Sequence, residues 1–141
     1  MHLVGHIDIP KELSAFKNQL VFHDFVDWQV LPSMIAEIDI NLAPLVDSVF
    51  NRAKSEIKWI EAALVKVPTL ASQIGAFSEM IQDGETGILV SDVLWFEKLE
   101  ELVKSRACRQ EIGEKAYDFV MKNCVTDAHQ DELIDWVLNS D

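Results

Sequence analysis

Two lysines and a glutamate, Lys54, Lys58 and Glu61, lie at helical spacing in the stretch NRAKSEIKWIEAALVKVPTLAS, residues 51–72. At about 100° per residue they fall within an arc of roughly 60° on one face of a helix expected over residues 52–66. Ile57, Ile60 and Leu64 form the neighbouring apolar stripe, Ala62 and Ala63 allow close approach to a sheet, and Asn51 or Ser55 can cap the start. A helix N-terminus presents unpaired amides and a partial positive charge, and phosphates bind there readily. A carboxylate two turns further along can accept hydrogen bonds from a vicinal diol such as ribose. The pattern therefore fits a nucleoside diphosphate. It also fits a plainer account, in which Lys58 and Glu61 form a solvated i, i+3 ion pair and Lys54 is a surface lysine. Spacing alone does not name a ligand.

The elements that must position these residues are those of a single domain. The chain has 141 residues, enough for a real core, and its 49% hydrophobic and 26% charged residues read as an ordinary globule. A net charge of −12 opposes binding to nucleic acid and to an anionic membrane face, so any phosphate site must be local. Cys108 and Cys124 match no metal or redox spacing and read as free thiols of a cytoplasmic protein. No apolar run approaches the roughly 20 residues of a membrane span, and the start lacks the pattern of a signal peptide.

Strand-like and helix-like runs alternate, which predicts an α/β fold with a mostly parallel, Rossmann-like sheet. Strands are expected at 2–7, 19–25, 39–45, 68–72 and 86–91. Helices are expected at 28–38 with Pro32 in its first turn, at 52–66 and at 76–83. Beyond residue 92 the pattern is helical. One helix runs from a Ser91 or Asp92 cap to Arg106 with Leu94, Leu99, Leu102 and Val103 inward, one covers about 108–122, and one covers about 127–139. This divides the chain into a domain over 1–125 and a C-terminal helix of the same domain over 126–141. Gly84 and Gly87 suit turns needing positive φ. The four tryptophans read as packing residues. Five strands and no early Gly-rich loop suggest that a first strand and helix of the domain are missing.

The stretches IDINLAPL, EAALVKVPTLAS and IGAFSEMIQDGETGILV, in that order, resemble the C-terminal half of family-4 (group 1) glycosyltransferases, enzymes of the two-domain GT-B fold. The likeness covers residues 20–123. It implies a domain that binds the nucleotide-sugar donor for transfer of a hexose-type sugar, with retention, to an acceptor hydroxyl in polysaccharide biosynthesis. In the family an E-x7-E element flanks the donor. Its second glutamate, on the ribose, matches Glu61, whereas Ala53 stands where the first belongs. A related pattern, N-x-x-K-S-x-x-K-x-x-E, fits Asn51, Lys54, Ser55, Lys58 and Glu61, with the lysines on the diphosphate. By position, the loop HDFVDW lies where the family reads the base, which nominates His23, Asp24, Phe25 and Val26. Gly75 falls in a loop beside the donor. The resemblance implies no metal and no cofactor beyond the nucleotide-sugar substrate, and assigns no catalytic residue. A separate acceptor-binding N-terminal domain is the implied partner, and the apolar side of the last helix, with Trp136, is free for self-association. The other reading open here is a non-catalytic nucleotide-binding or interaction module built on the same fold.

Overall fold

The computed structural model describes residues 1–5, 11–91 and 93–126. The expected C-terminal helix with Trp136, and Asp92 as a cap, lie outside them.

Five short strands form: β1 (His2–Val4), β2 (Val21–His23), β3 (Asn41–Ala43), β4 (Thr69–Ser72) and β5 (Ile88–Val90). A 3₁₀ stretch, Lys11–Gln19, precedes β2, where the residue pattern predicts no element. The helices are α1 (Leu31–Ala36), α2 (Val49–Arg52), α3 (Ile57–Leu64), α4 (Gly75–Met80), α5 (Trp95–Lys104) and α6 (Arg106–Asn123). Pro32 does fall in the first turn of α1, where its missing N–H costs nothing. All strand pairing is parallel, as expected, but the strands fall into two ladders rather than one. β1 pairs with β2, and β3, β4 and β5 pair in that order.

The core surrounds β4. Every residue of this strand is buried, which is the signature of a parallel strand covered on both faces. Ala43 and Ala71 cluster with Trp59, Ala63, Phe77, Ile81, Ala116 and Val120, whereas Leu70, Ile88 and Val90 cluster with Leu102 and Ile112. The alternation in register along β3, β4 and β5 sends successive residues to opposite faces. By contrast β1 and β2 bury nothing fully, and Val21, Phe22 and Trp28 remain exposed, so Trp28 is not a packing residue. On α5, Leu102 and Leu99 turn inward as expected, while Leu94 and Val103 stay exposed.

The helix expected over 52–66 is broken. Ser48 caps α2 by accepting the Asn51 amide, α2 ends at Arg52, and α3 begins only at Ile57. The inward stripe also differs. Trp59, Ala62 and Ala63 are buried, while Ile57 and Leu64 are exposed. The reason is tertiary. The indole N–H of Trp59 donates to the Thr86 carbonyl at 2.7 Å, which turns α3 by its largest side chain. Meanwhile α2 is held by the Arg52–Asp47 ion pair and by Gly75, so the two segments take separate supports. At its other end α3 closes with the Lys66 amide bonded to the Ala63 carbonyl and that of Val67 to Ala62, with Lys66 at φ 60°. Residue 113 of α6 packs directly on this turn. A Cβ there would lie 2.1 Å from the Lys66 carbonyl oxygen, so only glycine fits.

Candidate nucleotide-sugar site

In open parallel sheets ligands bind beyond the carboxyl ends of the strands. Here the segment after β3 passes over those ends. The Leu45 amide donates to the Ser72 hydroxyl, at the last residue of β4, at 2.8 Å. Gly75 opens α4 with φ 52°, and a Cβ at this position would stand 2.6 Å from the Arg52 carbonyl oxygen. Glycine thus lets the β4–α4 turn touch α2. Between these loops lies an open cleft of about 280 Å³ lined by Pro44, Leu45, Val46, Ser72 and Trp95. A cleft of about 380 Å³ lies at the opposite ends of β3 and β4, beside Asp39, Pro68 and Arg109. Arg109 is committed there to the Leu102 and Val103 carbonyls and to Asp39, so it serves to hold α5, α6 and the entry to β3 together.

The residues singled out by spacing are placed as follows. Asn51 lies inside α2 and caps no other helix, since its side chain donates to the Val46 carbonyl and fixes the β3–α2 loop. Lys54 lies in the break after α2, not on the helix face with Lys58, and its ammonium sits 5.1 Å from the centre of the exposed Phe50 ring. Ser55 is exposed in the same turn. Lys58 is exposed in the first turn of α3, and Glu61, one turn on, is half-buried. Among the described residues neither lysine has a carboxylate partner, so the surface ion pair between Lys58 and Glu61 does not form. No side chain caps the start of α3. Gly87 does not take positive φ, unlike Gly84 at 76°. It is small because its backbone runs beside Ile81 and Thr69.

His23 and Phe25 belong to the other ladder. His23 ends β2, stacks on His2 with ring centres 5.1 Å apart, and its Nε2 lies 3.1 Å from Nδ1 of His2. Phe25 is 83% exposed, with its ring against Gly5. Asn51, Lys54, Ser55, Lys58 and Glu61 lie along α2, the break and α3, Gly75 touches Arg52 of α2, and His23 and Phe25 lie on and just after β2 of the other ladder. Residue spacing did not single out Asn41, whose side-chain amide bridges the Lys58 carbonyl and the Thr69 hydroxyl at 3.0 Å each. A polar residue inside the apolar run INLA was the available signal. Trp95 and Ser72 were also missed, because nothing in their spacing marks a cleft. Among the described residues no cluster of His, Cys, Asp and Glu is placed to hold a metal, and no helix is long and apolar enough to cross a membrane.

This α/β arrangement is that of GT-B glycosyltransferase domains. Residues 1–105 match the family described as glycosyl transferases group 1, and the chain belongs to that family. It is 33% identical over 75 residues to an uncharacterized 41.2 kDa protein in the cps region of Klebsiella pneumoniae, covering 53% of this chain and spanning only 20% of that relative. Sucrose-phosphate synthase from Thermosynechococcus elongatus has a similar fold, with a TM-score of 0.74 at 16% identity over 99% of this chain and 39% of its own. So does the Anabaena protein HepE, solved in complex with UDP and glucose, with a TM-score of 0.70 at 19% identity over 89% and 33% of the two chains. The isolated C-terminal domain of a glycosyl transferase group 1 protein from Francisella tularensis aligns with a TM-score of 0.62 at 24% identity, over 81% of this chain and 65% of that domain.

Proposed function

We propose that this chain is the donor-binding half of a glycosyltransferase, which holds a nucleoside diphosphate sugar so that the sugar can pass to an acceptor hydroxyl. The observation that supports the reading is that Lys54 and Lys58, in a chain of net charge −12, have no carboxylate partner among the described residues and flank the uncapped start of α3. Lys54 and Lys58 would neutralise the diphosphate without a metal, and support the charge that builds on it as the glycosidic bond breaks. Glu61 would accept hydrogen bonds from the ribose, and Ser55 and the α3 amides would complete the cradle. The bound UDP in the Anabaena structure supports this choice of ligand class. Transfer itself would require an acceptor-binding domain beyond these residues.

Calorimetric titration with UDP, GDP and dTDP, beside Lys58→Ala and Glu61→Ala, tests the assignment. Binding of one nucleotide, weakened about tenfold or more in both variants, is the expected result, a loss of about 1.4 kcal/mol or more. Unchanged binding in both variants would move the site away from α3. The second reading, a module that binds without catalysing, rests on Ala53 in place of the family's first glutamate. Sugar transfer by a protein that contains these residues and an acceptor domain would exclude it.

A further inference from the structure

Strand β3 packs on both core clusters, through Ala43 in one and Leu42 against the other, yet it opens on a polar residue. Asn41 stands opposite Thr69 in the β3–β4 register, and the Thr69 hydroxyl is buried. A buried hydroxyl needs a partner, and Asn41 supplies one at 3.0 Å. That duty requires a single donor, which serine or threonine would also carry. The asparagine amide carries two. Its second N–H goes to the Lys58 carbonyl, also at 3.0 Å.

The second bond reaches the part of α3 that has least support of its own. No side chain caps this helix, and the break precedes it. Two side-chain bonds hold its first turn at adjacent residues. The Trp59 indole donates to the Thr86 carbonyl, just before β5, and Asn41 holds the Lys58 carbonyl from β3. One such bond leaves a turn free to pivot about it, whereas two from different strands fix its position and its rotation. A carbonyl oxygen has two lone pairs, so the Asn41 bond takes nothing from the helix ladder. Lys58 and Glu61, one turn apart, project from the backbone held in this way.

We propose that Asn41 is a positioning residue of the nucleotide site: by tying the first turn of α3 to β3 and β4, it sets where the Lys58 ammonium meets the diphosphate and where the Glu61 carboxylate meets the ribose. The inference rests on the donor-site reading of α3 given above. Contact groups of a binding site must be held within about 0.5 Å, by partners that are themselves locked. Asn41 meets that condition, because its backbone lies in the β3–β4 ladder and its own amide bonds toward Pro68.

Calorimetric titration with UDP, GDP and dTDP tests this in Asn41→Ala and Thr69→Val, beside Lys58→Ala. Both of the first two variants remove the Asn41–Thr69 bond, but only Asn41→Ala also frees the Lys58 carbonyl. Both should lower Tm, while affinity should fall about tenfold in Asn41→Ala and stay within about twofold of the parent in Thr69→Val. In the Lys58→Ala background the Asn41 change should cost about threefold or less, because part of what it disturbs is already gone. If Asn41→Ala does not fold, the isosteric Asn41→Asp replaces it. Its carboxylate accepts from the Thr69 hydroxyl but cannot donate to Lys58, and salt of about 0.5 M screens the added charge, so the same tenfold loss is expected. Equal losses of affinity in the Asn41 and Thr69 variants, or full additivity with Lys58→Ala, would show a general structural role and overturn the proposal. Parent-like binding in the Asn41 variant with a loss in Lys58→Ala would overturn it and leave the donor-site reading standing. Parent-like binding in Lys58→Ala would remove that reading, and this inference with it.

Discussion

Replacing Gly113 by alanine sets two effects of opposite sign against each other. In a helix interior such a change gains about 1 kcal/mol of propensity. At this position the new Cβ would sit 2.1 Å from the Lys66 carbonyl oxygen and 2.8 Å from its carbon. Ordinary contact requires more than an ångström beyond the shorter of these. Neither side can give way locally. Lys66 is the left-handed closing residue of α3, and α6 is fixed on either side of Gly113 by buried Ile112 and Ala116. Overpacking of a tight contact costs about 1–3 kcal/mol, and the contact here is backbone to backbone, so the upper part of that range applies. The net expectation is a loss of about 1–2 kcal/mol, read as a fall in Tm of roughly 3–8 °C. Urea unfolding followed by circular dichroism gives the same quantity from the midpoint, with the slope unchanged. Because α3 carries Lys58 and Glu61, its displacement should also weaken nucleotide binding. A variant as stable as the parent, or more so, would show that α3 and α6 do not meet as closely as described, and the reasoning would fail.

Three further outcomes are expected. Trp59→Phe keeps most of the buried ring but strands the buried Thr86 carbonyl, and should cost about 1–3 kcal/mol in chemical denaturation. Gly75→Ala places a Cβ 2.6 Å from the Arg52 carbonyl oxygen at φ 52°, so it should push α2 from α4 and lower nucleotide affinity more than it lowers Tm. Burial, and then the nearby Glu56 charge, push the Cys124 thiol above its usual range, so alkylation at pH 8 should be slower than for a free thiol and should rise with pH beyond the point where a free thiol levels off.

The α/β class, the five strand positions and the buried run PTLAS were legible because periodicity and turn residues report burial directly. What was not legible depended on partners distant in sequence. The break between α2 and α3 carries no proline or glycine; it arises because Gly75 and Asp47 hold one segment while Thr86 holds the other. Spacing does not give the inward face of α3, because Ile57 and Leu64 are apolar but exposed, while a single tryptophan sets the rotation. The exposure of Trp28 could not be read from its type. The candidate site was legible as a set of residue types, but not as a geometry.

That same break changes what the site can do. In one continuous helix over 52–66 the amides of Ile57 and Lys58 would be spent on the carbonyls of Ala53 and Lys54, and the nearest unpaired amides would lie back at its start. With α3 beginning at Ile57, and no side chain capping it, those amides become the helix's own first turn. The partial positive charge of the dipole then falls within one turn of Lys58, and Lys54 approaches from the connecting turn instead of from the same face. Glu61 stands one turn further along, on the same side as Lys58. An acidic protein thus brings two ammonium groups and a helix start close to the Glu61 carboxylate, with Glu56 at the N-cap of the same helix. A diphosphate attached to a diol would meet both kinds of group at about the separation that one turn of helix provides.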